Sequence, residues 1–180
     1  MAPVLSLAVC LFENVAATDF QGPLELFGFI APKGLESRTW PIDPAYAIEA
    51  SYLSVTLDPV STMSGPALVP TRTYDSVKPN EQFDVILVPG GKSHRRTLRT
   101  IVEKVVPCTG TGSRPGRTPD VVLEFIKTQT SGAKYVLSVC TGSEIVARTG
   151  ILDGHKATTN KSSFTRIKVS SVDSFGELIC

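Results

Sequence analysis

The chain has few cysteines, and their spacing matches no metal-binding or disulfide motif. Its 180 residues contain four, Cys10, Cys108, Cys140 and Cys180, and no two of them form a Cys-x-x-Cys pair. Structural zinc sites and the disulfide frameworks of small secreted domains need such groupings. The spacing therefore predicts no metal site and no disulfide framework. It favours a reducing, intracellular setting, with the cytosol as the default.

Histidine is also scarce. The two histidines, His94 and His155, lie far apart, and neither begins a His-x-Glu pair, so the Cys-His-Glu triad of a glutamine amidotransferase is not predicted. Residues 90–93 read Gly-Gly-Lys-Ser, but Ile86 stands where a phosphate-binding loop needs its first glycine. Nucleotide binding at this turn is therefore excluded.

The chain also lacks an excess of basic or acidic residues and an apolar run long enough to span a membrane. The chain has 18 basic and 17 acidic residues, 42% hydrophobic residues and a formal net charge of +1. Binding to nucleic acid relies on basic surface, and the small cluster Arg95, Arg96 and Arg99 is interpreted as a solvated face. The apolar run from Pro3 ends at Glu13, too early to span a membrane. We expect a globular domain that binds neither nucleic acid nor a membrane.

The apolar spacing along the chain predicts strands that alternate with helices. Apolar runs predict buried strands at residues 4–11, 83–88 and 135–139, and a further strand is expected from His155. Pro23 fits the first turn of a short helix. Thr118 and Pro119 fit the cap and first position of another, whose apolar face is formed by Val121, Val122, Phe125 and Ile126. This alternation predicts an α/β fold with a mostly parallel sheet.

Two stretches are less regular. Residues 45–77 are rich in β-branched and aromatic residues but interrupted by prolines, which predicts short strands or hairpin pieces. Residues 92–106 have some helical character, and the Gly-, Pro-, Ser- and Thr-rich stretch 107–117 predicts a surface loop. We therefore expect an irregular loop at 105–118.

A cysteine stands where the last predicted strand gives way to a helix. The strand around Leu137 ends at Cys140, and Thr141, Gly142 and Ser143 open the helical pattern. Such a turn lifts a side chain out of the sheet, and the first N–H groups of the helix favour a thiolate and a nearby oxyanion. Cys140 is therefore a candidate nucleophile, although a cysteine at a strand end is often only a small buried apolar residue.

Four blocks of the sequence carry its most specific motifs: Asp19–Pro23, Asp84–Gly91, Ser138–Ser143 and Leu152–Thr159. Their order and separation resemble the ThiJ/PfpI superfamily of the class I glutamine-amidotransferase-like fold, and within it the isonitrile hydratase-like branch. The resemblance implies a three-layer α/β sandwich with a mostly parallel, flavodoxin-like sheet flanked by helices. It implies one domain over residues 1–168. Residues 169–180 do not resemble the strand and helix that follow in the family, so we expect an atypical tail and an incomplete C-terminal part.

The resemblance also implies a set of site residues. Cys140 would be the nucleophile, Asp19 the acidic side chain that approaches it, and Thr141 would contribute its backbone N–H and its hydroxyl. The amides of Gly90 and Gly91 would polarise the substrate. Because an ionised Asp19 would disfavour a thiolate beside it, the carboxyl is expected to share a proton with the thiol or to move protons to and from the substrate.

Other assignments for the acidic residues stay open. Asp19 could instead cap the helix near Pro23, and Glu25 is the reserve acid, while Glu13 is expected to be solvated. Asn160 stands where relatives often carry a histidine, and we expect it to form a polar wall of the substrate site.

The activity that the resemblance implies is an isonitrile hydratase-like lyase reaction on a small molecule, through a thioimidate on Cys140, without metal or cofactor. A homodimer is implied in the same way. Two alternatives remain: a glyoxalase- or deglycase-like activity on reactive carbonyls, and a non-catalytic member of the family that senses oxidants or binds ligands.

Overall fold

A computed structural model describes residues 2–32, 35, 43–91, 118–165 and 167. Five strands form one sheet in the order β3-β2-β1-β4-β5, and every pairing in it is parallel. The mostly parallel α/β sheet predicted from the sequence is thus confirmed. The strands are β1 (Val4–Cys10), β2 (Ala47–Ser54), β3 (Arg72–Thr73), β4 (Val85–Val88) and β5 (Tyr135–Ser138).

Helices flank this sheet in a flavodoxin-like arrangement. They include α1 (Ala17–Gly28), α2 (Asp120–Thr130) and α3 (Gly142–Ala147), with short 3₁₀ helices at Tyr74–Ser76 and Lys161–Ser163. Helix α2 buries Val122, Phe125 and Ile126, as its apolar spacing predicts.

The strand order reverses between β1 and β4. From β1 the chain builds outward through β2 and β3, and it then returns to place β4 and β5 on the other side of β1. In open α/β sheets, this reversal leaves a crevice outside the carboxyl ends of the strands, where ligands bind. The ends of β1 and β4 are therefore the expected position of a site.

The centre of the sheet is its most buried part. Leu7 and Val9 of β1 are opposite Val85 and Leu87 of β4, and all four side chains lie in the core. Strands covered on both faces are apolar along their whole length, which explains why the runs at 4–11 and 83–88 predict strands correctly.

The middle of the chain is confirmed as strand rather than helix, but its strands are parallel. Strand β2 pairs with β1, and β3 pairs with β2. An antiparallel bridge between Val60 and Leu68 is the one hairpin-like piece among the described residues of this region.

The prediction that Pro23 occupies the first turn of a helix is wrong. Helix α1 begins at Ala17 and Pro23 lies inside it, although proline removes a backbone hydrogen bond there. The earlier start places Phe20 at 0% exposure in the core. Burial of a whole phenylalanine side chain offsets much of the proline's cost.

Two further predictions need correction. Pro119, not Thr118, is the N-cap residue of α2, and the Thr118 hydroxyl instead accepts a 3.1 Å hydrogen bond from the half-buried Arg148 guanidinium. The strand predicted from His155 is, among the described residues, a single β-bridge position at Ala157 between the turns at 151–154 and the 3₁₀ helix that begins at Lys161. Several predictions concern residues outside the described ranges. They are the helical character of 92–106, the loop over 105–117, the arginine cluster, His94, Cys108 and the tail 169–180.

Candidate active site

The sheet brings three predicted site segments to one edge. Strands β1, β4 and β5 are neighbours in parallel, so the chain leaves all three at the same end. Beyond β1 lies Asp19 in the first turns of α1, beyond β4 lies the Gly90-Gly91 turn, and beyond β5 lies Cys140. Segments more than a hundred residues apart in the sequence thereby form one site.

The backbone at Cys140 has an unusual conformation. Its φ angle is +57°, in the left-handed region that residues other than glycine rarely adopt. The Ser143 hydroxyl donates to the Cys140 carbonyl oxygen at 3.1 Å, and the Thr159 hydroxyl lies 2.7 Å from Ser143 Oγ. Strained backbone persists where its surroundings hold it, and such places are often functional. The thiol is partly exposed, so a small molecule can reach it.

Helix α3 starts very close to the end of β4. A Cβ atom at Gly142 would lie well inside van der Waals contact of the Val88 carbonyl oxygen and 2.9 Å from that of Pro89. The glycine two residues after Cys140 therefore lets the helix approach the neighbouring strand, which positions the thiol over the crevice.

The Asp19 carboxylate is held by the β4 turn. Its Oδ2 accepts a hydrogen bond from the Gly90 N–H at 3.0 Å. Partial burial raises the pKa of the Asp19 carboxyl, while the hydrogen bonds from Gly90 and Cys140 oppose that rise. A carboxyl with a raised pKa is suited to taking up and returning a proton near neutral pH.

The amides of the Gly90-Gly91 turn are already bonded within the protein. The Gly90 N–H donates to Asp19, and the Gly91 N–H donates to Thr141 Oγ1 at 3.3 Å. The Gly90 carbonyl oxygen accepts from the Ala16 N–H at 2.9 Å. In this structure the turn therefore positions Asp19 and Thr141, and the expected contact of its amides with substrate stays a prediction.

Thr141 links the turn to the elbow at Cys140. Its hydroxyl accepts from the Gly91 N–H and also lies 3.4 Å from the Gly91 carbonyl oxygen, as a weak donor. The residue is 8% exposed. Thr141 thus directs its hydroxyl at the Gly91 backbone, and its expected role in catalysis stays a prediction.

Asn160 contacts the sulfur atom itself. Its amide nitrogen donates to Cys140 Sγ at 3.2 Å. The contact places Asn160 in the site as expected, but against the nucleophile.

The sulfur thus lies between a donor and an acceptor. Asn160 donates to it, and the Asp19 carboxyl lies near enough for the Cys140 thiol to act on the pKa of that carboxyl. Transfer of the thiol proton to Asp19 would leave a thiolate that still accepts the amide N–H. This arrangement can therefore generate a nucleophile and store its proton within hydrogen-bond reach.

Three contributing residues are missed by the sequence reasoning: Ser143, Thr159 and Ser162. The first two hold the Cys140 carbonyl oxygen, and Ser162 orients the Asn160 amide. The Asn-x-Ser spacing is a signal for the last contact, because an asparagine oxygen often accepts from the backbone two residues later. No comparable local signal joins Thr159 to the elbow.

The alternative acids lie elsewhere. Glu13 is exposed and its carboxylate bonds the Ser61 hydroxyl, while Glu25 is exposed on the outer part of α1. Cys10, the other described cysteine, is fully buried, and burial raises the pKa of its thiol to about 12. A thiol of this kind is unreactive near neutral pH.

Within the described part of the chain, no group of three or more His, Cys, Asp and Glu side chains is placed to hold a metal ion. Among the same residues, no helix is long and apolar enough to cross a membrane.

Comparison with known sequences finds a related protein. An isonitrile hydratase from Pseudomonas putida is 28% identical over 156 residues, which are 87% of this chain and 52% of that protein.

Comparison of folds gives the same architecture. A ThiJ/PfpI family protein from Pseudomonas syringae has 24% identity and a TM-score of 0.63, over 88% of this chain and 51% of that one. Drosophila melanogaster DJ-1beta has 16% identity and a TM-score of 0.65, over 100% of this chain and 75% of that one. The chain spans about half the length of the two Pseudomonas proteins.

A sequence model of the DJ-1/PfpI family matches residues 6–115 and 105–177, which together include the Asp19, Gly90 and Cys140 segments. The resemblance first inferred from four short blocks is thereby confirmed over most of the chain. The chain belongs to the DJ-1/PfpI family.

Proposed function

We propose that this chain is a cysteine-dependent lyase that hydrates a small isonitrile to an N-substituted formamide. The observation that carries the proposal is the position of the Asp19 carboxyl beside Cys140, whose thiol acts to lower the pKa of that carboxyl, at a strained turn where Cys140 is partly exposed. The similarity to an isonitrile hydratase supports this choice of substrate.

The first half of the reaction adds the thiol across the terminal carbon of the isonitrile. Asp19 takes the proton of Cys140 and delivers it to that carbon, and the sulfur forms a bond to the same carbon. The product is a thioimidate in which a carbon–nitrogen double bond remains. No oxidant or reductant is needed, because the S–H bond and one carbon–nitrogen π bond are replaced by one C–H bond and one C–S bond. The electron pair of that π bond becomes a lone pair on nitrogen.

The second half consumes water. Water adds its oxygen to the thioimidate carbon and a proton reaches the nitrogen, which gives a tetrahedral adduct still bonded to sulfur. The C–S bond then breaks, the electron pair returns to Cys140, and the hydroxyl proton returns to the thiol through Asp19. The net change is isonitrile plus water to formamide, and the protein is restored.

Each group next to Cys140 has a role in these reaction steps. Gly90 holds the Asp19 carboxylate toward the sulfur, and Thr141 is held beside it by Gly91. A substrate-binding role for the amides of this turn requires that they exchange their present partners when substrate is bound. The homodimer implied by the family resemblance remains a prediction, for light scattering to check.

The test is turnover of a small alkyl isonitrile by the native chain and by Cys140→Ala and Asp19→Asn variants. Both variants are expected to lose at least about 10²-fold in the rate of formamide formation, the usual size of a lost acid–base contribution. Glu25→Gln is the matched control, because it removes an exposed carboxylate from the same helix. Unchanged turnover in both site variants would refute the proposal.

Methylglyoxal provides a second arm of the same experiment. The proposal predicts formamide production from the isonitrile in preference to consumption of methylglyoxal. Consumption of methylglyoxal alone, dependent on Cys140, would instead assign the chain to a reactive-carbonyl activity.

A further inference from the structure

The Asn160 amide has a single orientation that satisfies all its contacts. Its oxygen accepts from the Ser162 N–H at 2.9 Å and from the Ser162 hydroxyl at 2.5 Å. If the amide were turned over, its N–H groups would face the Ser162 backbone N–H, which can only donate, and that bond would be lost. The nitrogen must therefore face Cys140 Sγ, which lies 3.2 Å away.

Asn160 is also held to the Cys140 turn through its neighbour. The Thr159 hydroxyl lies 2.7 Å from Ser143 Oγ and 3.4 Å from the Cys140 carbonyl oxygen. Ser162 lies in the 3₁₀ helix (Lys161–Ser163) that the Asn160 side chain caps. The Asn160 amide is thus held in position relative to the sulfur by contacts of Thr159, which precedes it in the chain, and of Ser162, which follows it.

A hydrogen bond donated to sulfur stabilises the thiolate more than the thiol, because the negative charge strengthens it. Cationic groups such as lysine, arginine or protonated histidine commonly have this effect on reactive cysteines. Here an amide occupies the position next to the sulfur, and it carries no charge of its own.

We propose that Asn160, oriented by Ser162, is the hydrogen-bond donor that stabilises the Cys140 thiolate, both when the thiol gives up its proton and when sulfur leaves the tetrahedral adduct. This assigns Asn160 to the nucleophile instead of the substrate wall. The inference deepens the proposed function, since the same sulfur is the nucleophile there, but its test does not depend on isonitrile turnover.

The test measures the thiol itself. The background carries Cys108→Ser and Cys180→Ser. The ultraviolet absorbance of the thiolate and the rate of alkylation by iodoacetamide are recorded at a single pH, chosen below the usual pKa range of cysteine. Removal of a hydrogen bond to a charged group changes an equilibrium by about tenfold or more, and the higher basicity of the thiolate that lacks this bond offsets part of the loss in the alkylation rate. Asn160→Ala is therefore expected to alkylate about three- to tenfold more slowly and to show less thiolate absorbance.

Asn160→Asp tests whether the side chain of residue 160 faces the sulfur. Aspartate has the same shape and keeps an oxygen for Ser162, but it places an acceptor and a negative charge against the sulfur. Because this charge disfavours the thiolate by itself, Asn160→Asp is expected to alkylate more slowly than Asn160→Ala. An Asn160→Asp variant that alkylated as fast as the native chain would show that the side chain does not face the sulfur, and that result would overturn the proposal.

Two neighbouring variants complete the design. Ser162→Ala removes one of the two bonds that orient the amide and is expected to slow alkylation less than Asn160→Ala does. Lys161→Ala, exposed between them, is the control and should leave the rate unchanged. Equal alkylation by native chain and Asn160→Ala would also overturn the proposal, whether or not the chain hydrates isonitriles.

Discussion

The Gly90 N–H donates a 3.0 Å hydrogen bond to Asp19 Oδ2 and so joins the end of β4 to the first turns of α1. The two residues are 71 positions apart in the sequence. The Cys140 thiol influences the pKa of the same carboxyl, so this contact positions the group that would receive the thiol proton in the proposed reaction.

Substitution of Gly90 by alanine should disturb the site without unfolding the chain. The new Cβ would lie 2.8 Å from Asp19 Oδ2 and 2.8 Å from both the nitrogen and Oγ1 of Thr141. Since the Asp19 side chain can move and the Thr141 backbone cannot, the carboxylate is expected to swing away from the sulfur. We expect isonitrile turnover to fall about tenfold or more while the chain still unfolds cooperatively, as followed by circular dichroism. Full turnover in Gly90→Ala would show that the position of Asp19 is not critical.

Gly22 and Gly142 should respond in opposite directions to alanine. No atom lies within 4 Å of a Cβ at Gly22, inside α1, so Gly22→Ala is expected to stabilise the chain by about 0.5–1 kcal/mol through helix propensity. At Gly142 the Cβ would collide with the Val88 backbone, and overpacking of this kind costs roughly 1–3 kcal/mol. Urea unfolding measures both. A stable Gly142→Ala variant would contradict the close contact between α3 and β4.

Asp19→Asn should separate stability from activity. Burial raises the pKa of Asp19, so the folded chain binds this proton more tightly than the unfolded chain does. The stability from this group is therefore present below the unfolded pKa and is lost as pH rises through the folded pKa.

At neutral pH, Asp19→Asn is thus expected to be at least as stable as the native chain, and its relative advantage should shrink on acidification. Urea unfolding at several pH values measures this difference. An advantage that instead grew as the pH fell would contradict the raised pKa.

Cys10 should resist alkylation in the folded chain. Its thiol is fully buried, its pKa is raised to about 12 by burial, and it is hydrogen-bonded to Tyr74. Iodoacetamide near neutral pH is expected to label Cys140 but not Cys10, and to label both in denaturant. Peptide mass spectrometry reads the two sites separately, and rapid labelling of Cys10 under native conditions would argue against the tightly packed centre of the sheet.

The sheet and the turn at Cys140 were predictable because their signals are local. Continuous apolar runs marked β1 and β4, and the change from strand to small residues marked Cys140. The approach of Asp19 to Cys140 was implied by the family resemblance, and parallel strands, whose carboxyl ends share one edge, account for it.

The details that were missed depend on contacts between distant residues. Burial of Phe20 moved the start of α1 before Pro23, which local propensity does not reveal. The contact of Asn160 with the sulfur, and the use of the Gly90 amide by Asp19, are set by how turns from separate strands pack. Side-chain hydrogen bonds of this kind leave no periodic pattern in a sequence.

Mass spectrometry after incubation with a small alkyl isonitrile tests the central claim most directly. It is applied to the native chain, the Asp19→Asn variant and the Cys140→Ala variant. The account predicts formamide from the native chain, and an added mass of one isonitrile on the peptide that contains Cys140. The Cys140→Ala variant should give neither, and Asp19→Asn should give greatly reduced formamide. Formamide produced equally by Cys140→Ala, or neither product nor adduct with the native chain, would contradict the account.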